Sequence, residues 1–146
     1  MKVNFKKPKK YRWYHRWLGL SDPPRKHIVR IDPWDSWDVE YTLSLVALPL
    51  LRDYRKRNNG YPFGIEEVDI PGRLEDQDID EDEKLSQAWS AILDQMIQAH
   101  EFVISQEEDD FYDDLFLRDR AAFFEKRAQV EHGLRLFAKY YFNLWW

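Results

Sequence analysis

Arg135, Lys139 and Tyr140 stand at i, i+4 and i+5 near one end of the chain, setting two cations beside a phenol ring. Arg52 and Lys56 repeat the i, i+4 spacing with Tyr54 between them, and Trp37 adds an indole. Residues at i and i+4 share one face of a helix, so each pair offers two positive charges to one ligand. Arginine forks grip phosphate, lysine adds a mobile charge, and aromatic faces stack on a base. Arg135, Lys139, Tyr140, Arg52, Lys56 and Trp37 are therefore the candidate ligand-binding set. The chemistry they suit is a small anionic, nucleotide-like ligand.

The same residues admit a plainer role. Glu131 precedes Arg135 by one helical turn, and Asp94 and Glu101 lie seven apart on a flank of one segment. Those acids would lock the bases into a salt-bridge lattice. His100 sits on an apolar stripe and reads as a core histidine rather than a ligand. Gly133 is costly inside a helix and permits close approach of either a ligand or a neighbouring helix.

Turnover chemistry finds less support. The chain has no cysteine, which removes thiolate nucleophiles, disulfides and Cys-based metal sites. A metal-dependent nucleotide hydrolase of the tandem-glutamate type needs paired carboxylate motifs on helical faces around magnesium. Glu66-Glu67 instead runs into Val68-Asp69-Ile70-Pro71, and Glu107-Glu108-Asp109-Asp110 has no matching second motif. His15, His27, His100 and His132 supply no tandem His-Asp ligand set. No catalytic residue, metal site or cofactor is expected. Binding is favoured over catalysis.

These side chains need elements to position them, and the pattern is helical. The chain has 146 residues, of which seven are Trp, eight Tyr and nine Phe, enough large rings for a substantial core. A first long helix starts near Asp35 or Ser36, with a stripe of Val39, Leu43, Val46, Leu50 and Tyr54 that Leu45, Leu48 and Leu51 extend far enough to make the helix central. It contains Pro49 and stops at Asn58-Asn59-Gly60. A second runs from about Asp82 to Gln106, with Leu85, Trp89, Ile92, Leu93, Met96, His100 and Val103 on one face. The acidic patch Glu107 to Asp114 either interrupts it or opens a short third helix. The last helix runs from about Arg118 to the end, with Phe123, Val130, Leu134, Phe137, Tyr141 and Leu144 on one side. Leu136 and Tyr140 lie on its other side. The expected fold is all-α, a compact helical bundle of three long helices plus short pieces.

Charge divides the chain. Residues 1–30 hold ten Lys/Arg against the single acid Asp22, a balance of +9. They read as an irregular basic, aromatic arm, with a short extended piece over His27 to Ile31 and no sheet. Residues 31–146 form the helical domain, with an acidic loop over 61–82. Within it, residues 66–83 hold ten acids against Arg73, a balance of −9. Opposed segments of this size favour a homo-oligomer. Nucleic acid is expected to bind only through the arm. No apolar run approaches the roughly 20 residues that cross a bilayer, and the N-terminus lacks the apolar core of a signal peptide. A protein that contacts no membrane and stays in the cytoplasm is expected.

Three stretches together resemble one family of uncharacterised small helical proteins from tailed bacteriophages. They are Trp37 to Lys56 with its Leu48-Pro49-Leu50-Leu51, then Trp89 with Leu93-Asp94-Gln95-Met96-Ile97 and Glu101, then Gly133 to Tyr141 ending in Trp145. This chain has Glu40-Tyr41 where the family pattern has Asp-His, and His100 where it has an aromatic. The resemblance implies a phage accessory protein acting in the cytoplasm of an infected bacterial host, and supplies no reaction. Combined with the candidate residues, it suggests sequestration of a nucleotide defence signal of the host. The second reading is an inhibitor that binds a host protein through acidic surfaces; the third is a metal-dependent nucleotide hydrolase.

Overall fold

The computed structural model describes residues 2–5, 27–70, 80–108 and 111–144. The fold is all-α, with three long helices and shorter pieces. The chain packs as two units, residues 1–42 and residues 43–146, so the first reaches past the expected arm boundary into the first turn of a helix.

In the first unit, Lys2–Phe5 (β1) pairs antiparallel with His27–Arg30 (β2), Val3 opposite Val29. This corrects the expectation of no sheet; residues 6–26 of the expected arm lie outside the described residues. The extended piece at His27 was legible from its alternation, but its partner lies across Gly and Pro breakers, where local pattern carries no pairing information. A 3-10 turn over Pro33–Ser36 follows, closed by a capping box: Trp34 N–H donates to Asp32, and Asp32 N–H donates to Asp35 at 2.7 Å.

Val39–Arg57 is α1. Its cap is Asp38, whose Oδ1 accepts from Tyr41 N–H at 2.9 Å, rather than Asp35 or Ser36, which belong to the 3-10 turn. The helix passes through Pro49, and Arg55, Lys56 and Arg57 fill its last turn as its dipole favours.

The buried face of α1 is Ser44, Leu48, Leu51 and Tyr54. The expected stripe is buried in part: its extension Leu48 and Leu51 lies inside with Tyr54, whereas Leu43 and Leu50 are exposed, at 61 % and 57 %. Apolar residues nearly encircle this helix, so periodicity alone does not choose a face. The side that meets the next helix also carries Ser44, Arg52 and Arg55, whose partners there are His100, Glu101 and Asp94.

That helix is α2, Glu81–Glu108, whose expected apolar face is buried from Trp89 through Val103. Phe111–Arg118 is α3, the short helix opened by the acidic patch. Asp119 then caps α4, Arg120–Lys139, by accepting from Ala122 N–H at 3.0 Å. The last helix stops at Lys139, with Tyr140 as its C-cap and a 3-10 turn over Tyr141–Asn143, instead of running to the end. Its buried face is Val130, Gly133 and Leu136, one step round from the expected Leu134 and Phe137.

Gly133 explains that choice. A Cβ there would lie 2.5 Å from the Gln95 carbonyl oxygen and 2.6 Å from Ala99 Cβ, so the glycine serves the close approach of α2 and α4. The main core gathers Leu51 and Tyr54 from α1, Trp89, Ile92, Leu93 and Met96 from α2, and Leu136 and Tyr140 from α4 and its cap. Among the described residues, no helix is long and apolar enough to cross a membrane.

Candidate functional site

Lys139 and Tyr140 are brought together, and a carboxylate occupies them. Asp69 is 7 % exposed, and its Oδ2 accepts from Lys139 Nζ at 2.6 Å and from Tyr140 OH at 2.6 Å. Lys139 Nζ also pairs with Glu66 at 2.8 Å, while Glu66 N–H donates to the Tyr140 oxygen at 3.4 Å. Two acids therefore surround one base, and the charge expected to hold an anion is already neutralised. Burial alone would raise the Asp69 carboxyl, but hydrogen bonds from Lys139 and Tyr140 and the lysine charge hold it below the usual 3.8. Burial and the bond to Asp69 push the Tyr140 phenol up.

The other candidates lie elsewhere. Arg135 is exposed, and no hydrogen bond or ion pair joins it to a described residue. The lattice forms without it: Arg55 reaches Asp94 at 3.0 Å, Arg52 reaches Glu101 at 2.6 Å, and Arg127 reaches Glu131 at 3.0 Å. Lys56 is exposed, on the side of α1 that carries Arg52. Leu50 and Tyr54 meet Phe137 and Tyr141 across a groove, and Arg52 is turned ~160° round the helix from Leu50. The two cationic pairs thus do not form one site. Trp37 belongs to the first unit, 87 % exposed beside Trp34 at 80 %.

His100 is a core residue. Its Nδ1 is hydrogen-bonded to Ser44 Oγ, its ring meets Phe137 edge-on, and burial pushes its pKa down.

A cleft that sequence reasoning missed opens where α1 ends. It has a volume of about 590 Å³ and is walled by Tyr54 and Arg57, the turn Asn58 to Gly60, the segment Tyr61 to Phe63, and Asn143. Arg57 Nε donates to Asp53 Oδ1 at 2.9 Å, one Nη lies 2.9 Å from the same oxygen, and the other Nη has no partner among the described residues. Asn58 Nδ2 donates to the Gly60 carbonyl, holding the turn, and Tyr54 OH donates to the Asn143 carbonyl at 3.2 Å. Tyr61 OH donates to Asp82 at 2.5 Å, which fixes its ring and, as the largest effect, raises its pKa. Phe63 is fully exposed at 104 %, at the tip of a turn that Gly64 makes possible with φ +84°.

Chemically, the cleft offers two aromatic faces, carboxamides that both donate and accept, and a guanidinium with spare donors. Burial pushes the Tyr54 phenol up and the bond to Asp82 pushes up that of Tyr61, so neither is a base poised near neutral pH. The signal was present in Asn58-Asn59-Gly60-Tyr61-Pro62-Phe63, read above only as a helix stop and loop. Among the described residues, no group of three His, Asp or Glu side chains is placed to hold a metal ion. No protein-family model, curated protein or solved structure matches the chain.

Proposed function

We propose that this protein binds a small anionic, nucleotide-like ligand without turning it over, in the cleft at the end of α1. One observation carries the reading: the cleft joins the bare ring of Phe63 and the fixed ring of Tyr61 to the exposed guanidinium of Arg57, which holds Asp53 and keeps a further Nη for a ligand. Its volume suits a ligand of nucleotide size. The ring would stack on the base, the carboxamides would read its edge, and Arg57 would meet the phosphate. The resemblance to phage proteins supports an accessory role in an infected bacterium, where holding a nucleotide would silence a host defence signal.

The test is a thermal melt and native mass spectrometry of the full chain against a nucleotide panel. A binding nucleotide at a hundredfold excess over its dissociation constant should stabilise the protein by ~2.7 kcal/mol. Arg57→Ala and Phe63→Ala should each abolish that shift while leaving the ligand-free melt unchanged. A panel in which nothing shifts the parent protein would overturn the reading.

A second reading, inhibition of a host protein, draws on the first unit. Trp34 and Trp37 are exposed among Asp32, Asp35, Asp38 and Glu40, an acidic aromatic surface suited to a basic protein partner. Trp34→Ala with Trp37→Ala should release such a partner without affecting the cleft. Self-association is supported by the opposed charges of residues 1–30 and 66–83, and light scattering at low and high salt tests it.

A further inference from the structure

We infer that Asp69 is the positioning residue of the cleft, acting as a buried clamp that holds the segment carrying Tyr61 and Phe63 in place. Its meaning for function rests on the ligand reading above. Its meaning for structure does not.

Residues 61–70 contain only a 3-10 turn, Glu67–Asp69, as regular structure. A segment without a ladder is placed by its side-chain anchors. At the cleft end, Tyr61 is tied to Asp82, and Tyr61 and Ile65 pack against the core. At the far end, the Asp69 carboxylate is seated on Lys139 and the C-cap Tyr140, while Gln95 Nε2 of α2 donates to its carbonyl at 3.5 Å. The last turn of α4 thereby grips the acidic segment through one buried carboxylate.

The chemistry of the clamp is asymmetric. Without Asp69, Lys139 keeps Glu66, but the buried Tyr140 hydroxyl loses its acceptor. Phe63 makes no compensating contact, because it is wholly exposed. The outer wall of the cleft then keeps Ile65 against the core and Glu66 on Lys139 but loses its buried anchor, and a ligand must order more of that wall when it binds.

Hydrogen exchange of the full chain tests this without any ligand. Glu66 N–H donates to Tyr140 and Asp69 N–H to the Glu66 carbonyl, so these two amides report the clamp. Asp69→Ala should speed their exchange by at least about tenfold, the equivalent of one lost charge-assisted hydrogen bond. Tyr140→Phe removes the acceptor of the Glu66 amide itself, so in that variant the Asp69 amide is the one that reports the clamp. Amides from Trp89 to Met96 should keep the parent rates. Unchanged exchange of the Glu66 amide in Asp69→Ala, or equal loosening of segment and helix, would overturn the clamp. If Asp69→Ala fails to fold, Tyr140→Phe decides on the Asp69 amide, and an unchanged rate there would overturn it. Any nucleotide that stabilises the parent should bind Asp69→Ala about tenfold more weakly, and equal binding would overturn the positioning role. If no nucleotide binds the parent, the proposed function falls, and exchange alone decides the clamp.

Discussion

The Nδ1 of His100 lies 2.9 Å from the hydroxyl of Ser44, fifty-six residues earlier, across the contact between α1 and α2. The ring is 4 % exposed and stands edge-on to Phe137 with centroids 5.0 Å apart. No carboxylate meets it among the described residues, and Nε2 is buried without a partner. A small serine and a ring-sized slot therefore accommodate a neutral imidazole.

Stability should consequently fall on mild acidification. Burial lowers the folded-state pKa of His100 below 6.5, so the unfolded chain takes up the proton first. The stabilisation is complete above about 6.5 and is lost as pH falls from there through the folded value. Denaturant titrations between pH 8 and pH 5 should show this slope in the parent, and His100→Phe, which keeps a ring in the slot without a titratable nitrogen, should flatten it. An equal slope in both proteins would assign the effect elsewhere.

Gly133→Ala should destabilise by about 1–3 kcal/mol, the usual range for overpacking. Alanine favours the helix by roughly 1 kcal/mol, but the added carbon meets the Gln95 carbonyl and Ala99, and backbone cannot swing aside. Urea midpoints measure the balance. A more stable variant would mean that α2 and α4 lie further apart.

What was legible follows from how one-sided each pattern is. On α2 the apolar residues from Trp89 to Val103 form one stripe, and that stripe is buried. On α1 leucines surround the axis, and the contacts that mark its inner side, from Ser44, Arg52 and Arg55 to His100, Glu101 and Asp94, span 39 to 56 residues and leave no local pattern. Asp69 was hidden in the acidic run, because nothing local distinguishes it from Glu66 or Glu67. Its partners stand 70 and 71 residues on. Candidate residues were recognisable by type, whereas their partners required the fold.

The ion pairs between α1 and α2 should matter little to stability. Arg52 and Glu101 are 58 % and 42 % exposed, and Arg55 and Asp94 are 37 % and 49 % exposed. Solvent screens such pairs, and each contributes about 0–1 kcal/mol. Double-mutant cycles through Arg52→Ala with Glu101→Ala, and Arg55→Ala with Asp94→Ala, should return coupling in that range. A much larger value would make these pairs, rather than burial of Leu48 and Leu51, the determinant of how α1 docks.

Lys139 and Arg135, one turn apart on α4, should behave oppositely when neutralised. Arg135 is exposed and meets no described carboxylate, so Arg135→Ala should leave the melting temperature within the ±0.5 kcal/mol typical of surface changes. Lys139→Met strands the buried Asp69 carboxylate and should lower the melting temperature clearly at neutral pH. The two deficits differ in kind, and pH separates them. In the parent, hydrogen bonds and charge from Lys139 help hold Asp69 below 3.8, so its stabilisation is present above that value and lost as pH falls through the folded pKa. In Lys139→Met, burial is no longer opposed by the lysine, and the carboxyl titrates higher. Acidification then relieves the stranded charge in the variant while it weakens the network in the parent. The gap between their melting temperatures should narrow as pH falls towards 3.8, whereas Arg135→Ala should track the parent throughout. A gap for Lys139→Met that stays constant with pH would show that its lysine acts through packing rather than through the charge of Asp69.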